Sequence, residues 1–193
     1  MIRTSLVAAA LLFAASSPAL ATPQLAPVWT DHVVIQRDVP IRIDGNAAAG
    51  ERVSGTLGDK AAAAQADSRG RFTLEFPARS ASSDPLTLTV TGADRSTTTV
   101  ADILVGDVWL CSGQSNMEWP LSASVGGAAS VLGSADDGLR LLLVPKDTAA
   151  APQTAFATPA AWAAASPESA PPLHGHDAPQ VRGRPARRSV RAP

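Results

Sequence analysis

The chain is poor in residues that cross-link a fold or bind metal. Its 193 residues include one cysteine, three histidines and no tyrosine. A single cysteine allows no intramolecular disulfide, so stability has to come from a packed core. The histidine, cysteine and acidic residues show no metal-ligand spacing, so we predict no metal site and no cofactor. The formal net charge of −1 argues against nucleic acid and anionic membranes as partners.

The first residues have the pattern of a secretory signal peptide. Arg3 gives a positive start, Leu6 to Ala15 form an apolar run, and Ala19-Leu20-Ala21 supplies small residues at a cleavage site. The run is too short to cross a bilayer, which takes ~20 apolar residues. We predict a signal peptide over residues 1–21 and an exported protein, periplasmic or extracellular, without membrane contact after cleavage. A buried N-terminal helix is the alternative.

Short alternations of apolar and polar residues fill the region 22–104. This period is typical of strands with one buried face, and turn-forming residues separate them. The predicted strands are Val33–Ile35, Ile41–Ile43, Val53–Leu57, Arg71–Phe76 and Leu86–Val90. The predicted turns are Asp44–Asn46, Ala49-Gly50, Gly58-Asp59, Ser68–Gly70 and Ser83–Pro85. The region predicts an antiparallel β-sandwich. Ala61–Ala64 favour helix by propensity, but four residues cannot nucleate one.

The pattern changes over residues 105–170. Continuous apolar runs occur at 103–105, 108–111 and 139–144, as expected for strands covered on both faces. They predict the opening of an α/β domain, with a loop or weak helix over Ser122–Asp137. Cys111 ends one of these runs, so we expect a buried, inert thiol, with a reactive thiol as the alternative.

The last residues, 171–193, are rich in proline and arginine and have few large aliphatic side chains. Such a composition cannot bury a core and predicts a disordered basic tail. Binding to a polyanion is the alternative interpretation. Arginine, proline and alanine enrichment is also typical of GC-rich DNA read out of frame, so we hypothesise that a frameshift produced this tail.

The most specific motif lies at residues 106–120, Gly-Asp-Val-Trp-Leu-Cys-Ser-Gly-Gln-Ser-Asn-Met-Glu-Trp-Pro. It resembles the nucleophile motif of the sialate O-acetylesterase family, a branch of the SGNH-type esterases. Further segments resemble the same family, so that the resemblance extends over about Leu25 to Ala170: Asp31–Arg37, Gly50–Val53, Asp67–Phe72, Leu139–Pro145 and Trp162–Ser169. It implies an N-terminal sandwich followed by a truncated three-layer α/β/α SGNH-hydrolase domain, α/β in class overall.

The resemblance also implies how the motif acts. A serine hydroxyl attacks an ester only when a base takes its proton and backbone N–H groups stabilise the oxyanion. Ser115 is the expected nucleophile toward acetyl esters on sugars, an ordinary turn serine being the alternative. Three neighbours are expected to form the oxyanion hole or hold its loop: Gly113, Gln114 and Asn116. Glu118 and Trp119 are weaker candidates for the substrate pocket, with plain packing as the alternative.

A proton acceptor for Ser115 is harder to assign. In the family, the histidine and its acid lie far downstream of the nucleophile. His174, His176 and Asp177 fall in the tail, where no predicted element would hold them, and His32 falls in the sandwich and is expected to be structural. We therefore expect an incomplete, inactive esterase. The alternatives are a non-catalytic carbohydrate-binding or docking module and a chain that misfolds. The sequence does not specify an oligomeric state.

Overall fold

The fold is built almost entirely from short strands. The structure is a computed structural model that describes residues 22–113, 119–146 and 148–170, and the backbone of 181–182. The strands are β1 (Gln24–Leu25), β2 (Val34–Gln36), β3 (Ile41–Asn46), β4 (Arg52–Leu57), β5 (Lys60–Gln65), β6 (Arg71–Phe76), β7 (Ser82–Thr91), β8 (Thr97–Gly106), β9 (Asp136–Leu141), β10 (Ala163–Ala165) and β11 (Val181–Arg182). One α-helix, α1, covers Gly127–Leu132 and follows a 3₁₀ turn at Leu121–Ala123.

Two sheets form the N-terminal part. The smaller has the order β1-β3-β6 and is antiparallel, with Ile41 opposite Phe76 and Asn46 opposite Arg71. The larger has the order β2-β8-β7-β4-β5. Its pairs are antiparallel except for β2 and β8, which run parallel with Gln36 opposite Gly106.

Alternation along the strands creates the core between these sheets. Every second side chain of β3, β4 and β6 is buried, as the pleat requires when one face meets a partner. The sheets approach closely at Gly55 of β4, where a Cβ atom would lie 2.5 Å from Leu74 Cδ1 of β6. The fully buried side chains of this core are Ile43, Val53, Leu57, Leu74, Leu88, Val90 and Ile103.

A buried carboxylate fixes two turns at one end of the sandwich. Glu51 is 5% exposed. Its Oε2 accepts the backbone N–H of Ala48 at 2.9 Å, and its Oε1 accepts that of Ala93 at 2.9 Å. Charged acceptors make the stronger backbone hydrogen bonds in proteins, so one side chain ties the turn before β4 to the turn after β7.

The later residues pack onto the sandwich. A third sheet has the order β10-β9-β11, with both pairs antiparallel. Leu142 and Trp162 belong to the same hydrophobic cluster as the sandwich core. The Trp162 indole Nε1 donates to the Val28 carbonyl at 3.0 Å, and its backbone N–H donates to Thr30 Oγ1 at 3.0 Å. The boundary expected between residues 104 and 105 stays a prediction, as do the four segments drawn from the sequence.

The predicted α/β class is wrong for this structure. Strand accounts for 42% and helix for 6%, and the expected α/β/α layers are not formed by the residues described. A three-layer fold needs parallel strands joined by crossover helices. Here β9 has antiparallel neighbours and α1 has six residues. The predicted antiparallel sandwich fits in part, with the parallel β2–β8 pair as a departure.

Several local predictions also need correction. The run Val108–Cys111 is not a buried strand, because Val108, Trp109 and Leu110 are exposed and Cys111 is half-buried. The segments predicted as turns at Asp44–Asn46 and Ser83–Pro85 lie inside β3 and β7. Ala61–Ala64 belong to β5 and extend a hairpin whose turn contains Gly58 at φ 57°. Phe72 and Phe76 of the predicted strand Arg71–Phe76 are core residues.

Candidate active site

Strand β8 carries the chain from the sandwich core toward the predicted nucleophile. Ile103, Leu104 and Val105 are buried, and β8 ends at Gly106. The described chain continues to Gly113 and resumes at Trp119. Gln114, Ser115, Asn116 and Glu118 lie outside the described residues, so their assigned roles stay predictions.

Strand β2 holds the exit of β8 in place. The Arg37 backbone N–H donates to the Gly106 carbonyl at 2.9 Å, directly after the last parallel pair. The Gln36 side chain reaches one residue further, and its Oε1 accepts the Val108 N–H at 2.8 Å. The start of the motif, Gly106 to Val108, therefore forms two hydrogen bonds with the residues at the end of β2, one of them to a side chain.

The described residues of the motif on either side of the predicted nucleophile expose aromatic and aliphatic side chains. Trp109 is 62% exposed and Leu110 is 87% exposed on the entering side, and Trp119 is 57% exposed on the leaving side. Gly113 and Trp119 are the two candidate site residues whose surroundings the structure describes, and both are solvent-accessible.

A charged cluster lies near the middle of β8, four residues before the strand ends. Asp102 Oδ2 lies 2.6 Å from His32 Nδ1 and 2.8 Å from Arg140 Nη2. Arg140 is 5% exposed, and its Nε atom is buried without a hydrogen-bond partner. Sequence reasoning found His32 but missed Asp102 and Arg140. The available signal was a charged residue within each of the apolar stretches Ala101–Val105 and Leu139–Val144.

This cluster resembles half of a hydrolase triad, but its carboxylate is shared with a buried cation. A histidine whose Nδ1 faces a carboxylate is the arrangement of a general base. However, β8 runs away from the cluster toward the motif, and four residues of strand place Gly106 about 13 Å from Asp102. Asp102 also shares its carboxylate oxygen with Arg140. The cluster therefore belongs to the joint between β2, β8 and β9.

An open cleft of about 710 Å³ lies beside the small sheet. Its polar lining includes Asp44, Asp67, Arg71 and Thr154. Three of these groups are already engaged, because Asp67 Oδ2 accepts Arg71 Nε at 3.1 Å and Nη2 at 3.0 Å, and Asp44 Oδ1 accepts the Thr73 hydroxyl at 2.5 Å. Backbone hydrogen bonds from Arg71 and Arg69 lower the pKa of Asp67 below its ordinary value. The polar groups of the cleft are thus partly satisfied by one another, and its lining includes one aromatic residue, Phe72.

The described residues bring no three histidine, cysteine or acidic side chains together as metal ligands. Within the same residues, no helix has the length and apolar character that crossing a membrane takes.

Comparison with known proteins gives one informative likeness. No family model matches the chain, and no curated protein matches it. Among solved structures, a carbohydrate acetylesterase from Xanthomonas citri matches with a TM-score of 0.76 and 34% sequence identity, over 80% of this chain and 35% of that one. The chain thus spans about a third of that enzyme's length. A chimeric titin Z1Z2 domain pair matches with a TM-score of 0.30 and 19% identity, over 46% of this chain and 98% of that one.

Proposed function

We propose that this chain derives from a carbohydrate O-acetylesterase lineage and contains its nucleophile segment, with Ser115 as the attacking group. The observation that carries the proposal is the match to a carbohydrate acetylesterase at 34% identity over 80% of the chain. The motif at 106–120 supports it independently, because it follows a core strand whose exit is held by β2.

The proposed reaction is ester hydrolysis in two steps. Ser115 Oγ attacks the acetyl carbonyl, a base takes the serine proton, and the sugar hydroxyl leaves with a proton. Water then attacks the acetyl-serine ester and releases acetate. In both steps, charge develops on the carbonyl oxygen, and the N–H groups around Gly113, Gln114 and Asn116 are the proposed donors to it.

We propose further that the chain does not turn over by itself. Of its three histidines, His32 is the one that lies among the described residues, and it faces Asp102, four residues before the end of β8. The serine would then lack a positioned base, and a general base must lie within hydrogen-bond reach of the proton that it takes. The exported location expected from residues 1–21 and the substrate class, acetylated sialic acid or xylan-type sugars, belong to the same proposal.

A chimera tests the nucleophile assignment. Residues 22–170 would be joined to the part of the Xanthomonas citri acetylesterase that follows its aligned segment, and acetate release from an activated acetyl ester would be measured. We expect turnover that falls by about 10³-fold or more in Ser115→Ala and survives in His32→Asn. A folded chimera that is equally active with and without Ser115 would contradict the proposal.

The natural chain is the second arm of this experiment. We expect its acetate release and fluorophosphonate labelling to match those of its Ser115→Ala variant. Ser115-dependent turnover by the natural chain would disprove the proposed incomplete site. The polar cleft beside the small sheet favours the alternative of a sugar-binding module. Binding of acetylated oligosaccharides without turnover, lost in Asp44→Ala, would support that function instead.

A further inference from the structure

The cluster of Asp102, His32 and Arg140 has a feature that plain stabilisation does not explain. Arg140 is a buried cation on β9 with one nitrogen left unpaired. Burying a charge is costly, and a hydrophobic side chain of similar volume often serves stability as well or better. A buried ion pair does, however, accept only one relative placement of its partners, so it can specify how two elements meet.

The backbone at the cluster is also in an uncommon conformation. Asp102 has φ 52° and His32 has φ 69°, both in the left-handed region that residues with a side chain seldom adopt. Such conformations persist where the surroundings over-determine them, and they often mark positions with a functional constraint. At Asp102 this backbone turns the carboxylate of β8 toward both His32 and Arg140.

The cluster and the end of β2 hold opposite ends of one short strand segment. At its start, the Asp31 carboxylate accepts the Ala101 N–H at 2.7 Å, and Asp102 binds Arg140. At its end, Gln36 Oε1 accepts the Val108 N–H at 2.8 Å. Between them, residues 104–106 pair in parallel with β2. A shift of β8 by one residue would break all of these contacts together.

We propose that Asp102 is a positioning residue, which together with Arg140 and His32 locks the register of β8 and so fixes where residues 107–113 leave the core. The proposal rests on the proposed function in one respect: this segment leads into the Ser115 motif. Asp102 acts through Arg140 and β8, without touching the substrate. The positioning effect of Asp102 can be measured without any esterase activity, so it can still be tested if the chain hydrolyses no ester.

The chain's one cysteine gives a local readout. Cys111 is half-buried and lies in the segment whose position is at issue. In the full chain we expect Asp102→Asn and Arg140→Gln each to speed modification of Cys111 by a thiol reagent about tenfold, the factor equivalent to ~1.4 kcal/mol of local opening. His32→Asn, at a partly exposed site, should give a smaller acceleration.

The double variant tests whether Asp102 and Arg140 act together on the rate of Cys111 modification. Asp102→Asn leaves the buried Arg140 cation without its partner, and Arg140→Gln leaves the part-exposed Asp102 carboxylate with His32 alone, whereas Asp102→Asn/Arg140→Gln removes both charges. We therefore expect the double variant to react more slowly than the product of the two single effects predicts. Ile43→Val is the matched control, because it weakens the core from β3 of the smaller sheet and removes no charge. It should leave the Cys111 rate near that of the unmodified chain.

Three results would overturn the proposal. The first is a double variant whose acceleration of Cys111 modification equals the product of the two single accelerations. The second is an Asp102→Asn variant in which Cys111 reacts no faster than in Ile43→Val. The third concerns the case in which a single variant fails to fold. The Cys111 rates of the double variant and of His32→Asn are then compared with that of the unmodified chain, and unchanged rates in both would exclude a positioning role.

Discussion

The two halves of the molecule use apolar residues in opposite ways. In the sandwich, apolar side chains alternate with polar ones and are buried, as in β3 and β4. In the second half they come in continuous runs and are largely exposed. Apart from Val28 and Val39, the strongly exposed large hydrophobics among the described residues lie between Val108 and Val144.

The difference follows from what each pattern needs in order to be buried. An alternating strand has one apolar face and needs one partner sheet, which the sandwich supplies from its own strands. A continuous apolar run has two such faces and needs a cover on each. The described residues provide little of that cover. Leu142 is buried against the sandwich core and Leu141 against Ala165 and Ala170, whereas Leu143 and Val144 beyond them are about half exposed.

The largest effect that tests this contrast is the loss of a core leucine. Leu74 is fully buried and lies against Gly55 of the facing sheet. We expect Leu74→Ala to lower the free energy of unfolding by about 3 kcal/mol through lost burial and a residual cavity. The measurement is urea denaturation followed by circular dichroism.

Leu110→Ala is the matched control for Leu74→Ala, with the same chemical change at a side chain that is 87% exposed. We expect it to change the free energy of unfolding by no more than ~0.5 kcal/mol. Equal losses in the two variants would show that Leu110 is buried in solution, and the contrast between the two halves would fail.

The same contrast explains which parts of the fold could be predicted from the sequence. Strands β3, β4 and β6 alternate clearly and were located by period alone. Gly45 was misread as part of a turn, although it lies within β3. An added Cβ there would sit 2.5 Å from the Phe72 ring, so packing requires the glycine. Strand β5 was missed because an all-alanine stretch has no polar contrast to reveal its period.

The remaining errors come from information that local sequence does not carry. The run at 108–111 indicates a two-sided environment, but local sequence does not specify what covers it. Pro85 suggested a turn, whereas β7 accommodates it where the pairing with β8 is irregular, a site that tolerates proline. The link between Asp102 and Arg140 joins residues far apart in sequence, and only the fold brings them together.

A smaller effect is expected where the second half does join the core. Trp162 is 7% exposed, and its indole N–H donates to the Val28 carbonyl. Trp162→Phe keeps an aromatic ring but leaves that carbonyl without its donor, so we expect a loss of about 1 kcal/mol in the free energy of unfolding. Trp119→Phe, at a side chain that is 57% exposed, is the control and should stay within ~0.5 kcal/mol of the original chain. A Trp162→Phe variant indistinguishable from that control would mean that the second half is not docked as described.

The smallest expected effect concerns how far the order of the sandwich extends onto its surface. Hydrogen bonds from Lys60 and Arg79 lower the pKa of Asp59, in the β4–β5 turn, to about 2. Because this pKa is depressed in the folded state, the ionised carboxylate stabilises the fold above the ordinary pKa of ~3.9, and that contribution is lost as the pH falls toward about 2. Asp59→Asn should therefore lower the urea midpoint at pH 7, and the difference from the original chain should shrink between pH 4 and pH 2. The effect should be slight, because exposed ion pairs are weak and ~0.1 M salt screens them. The control is Asp84→Asn, which removes an exposed carboxylate on β7. If Asp59→Asn and the original chain lose stability in parallel over that pH range, the contacts of Asp59 with Lys60 and Arg79 do not stabilise the β4–β5 turn. The stabilising contacts of the sandwich would then be those of its core.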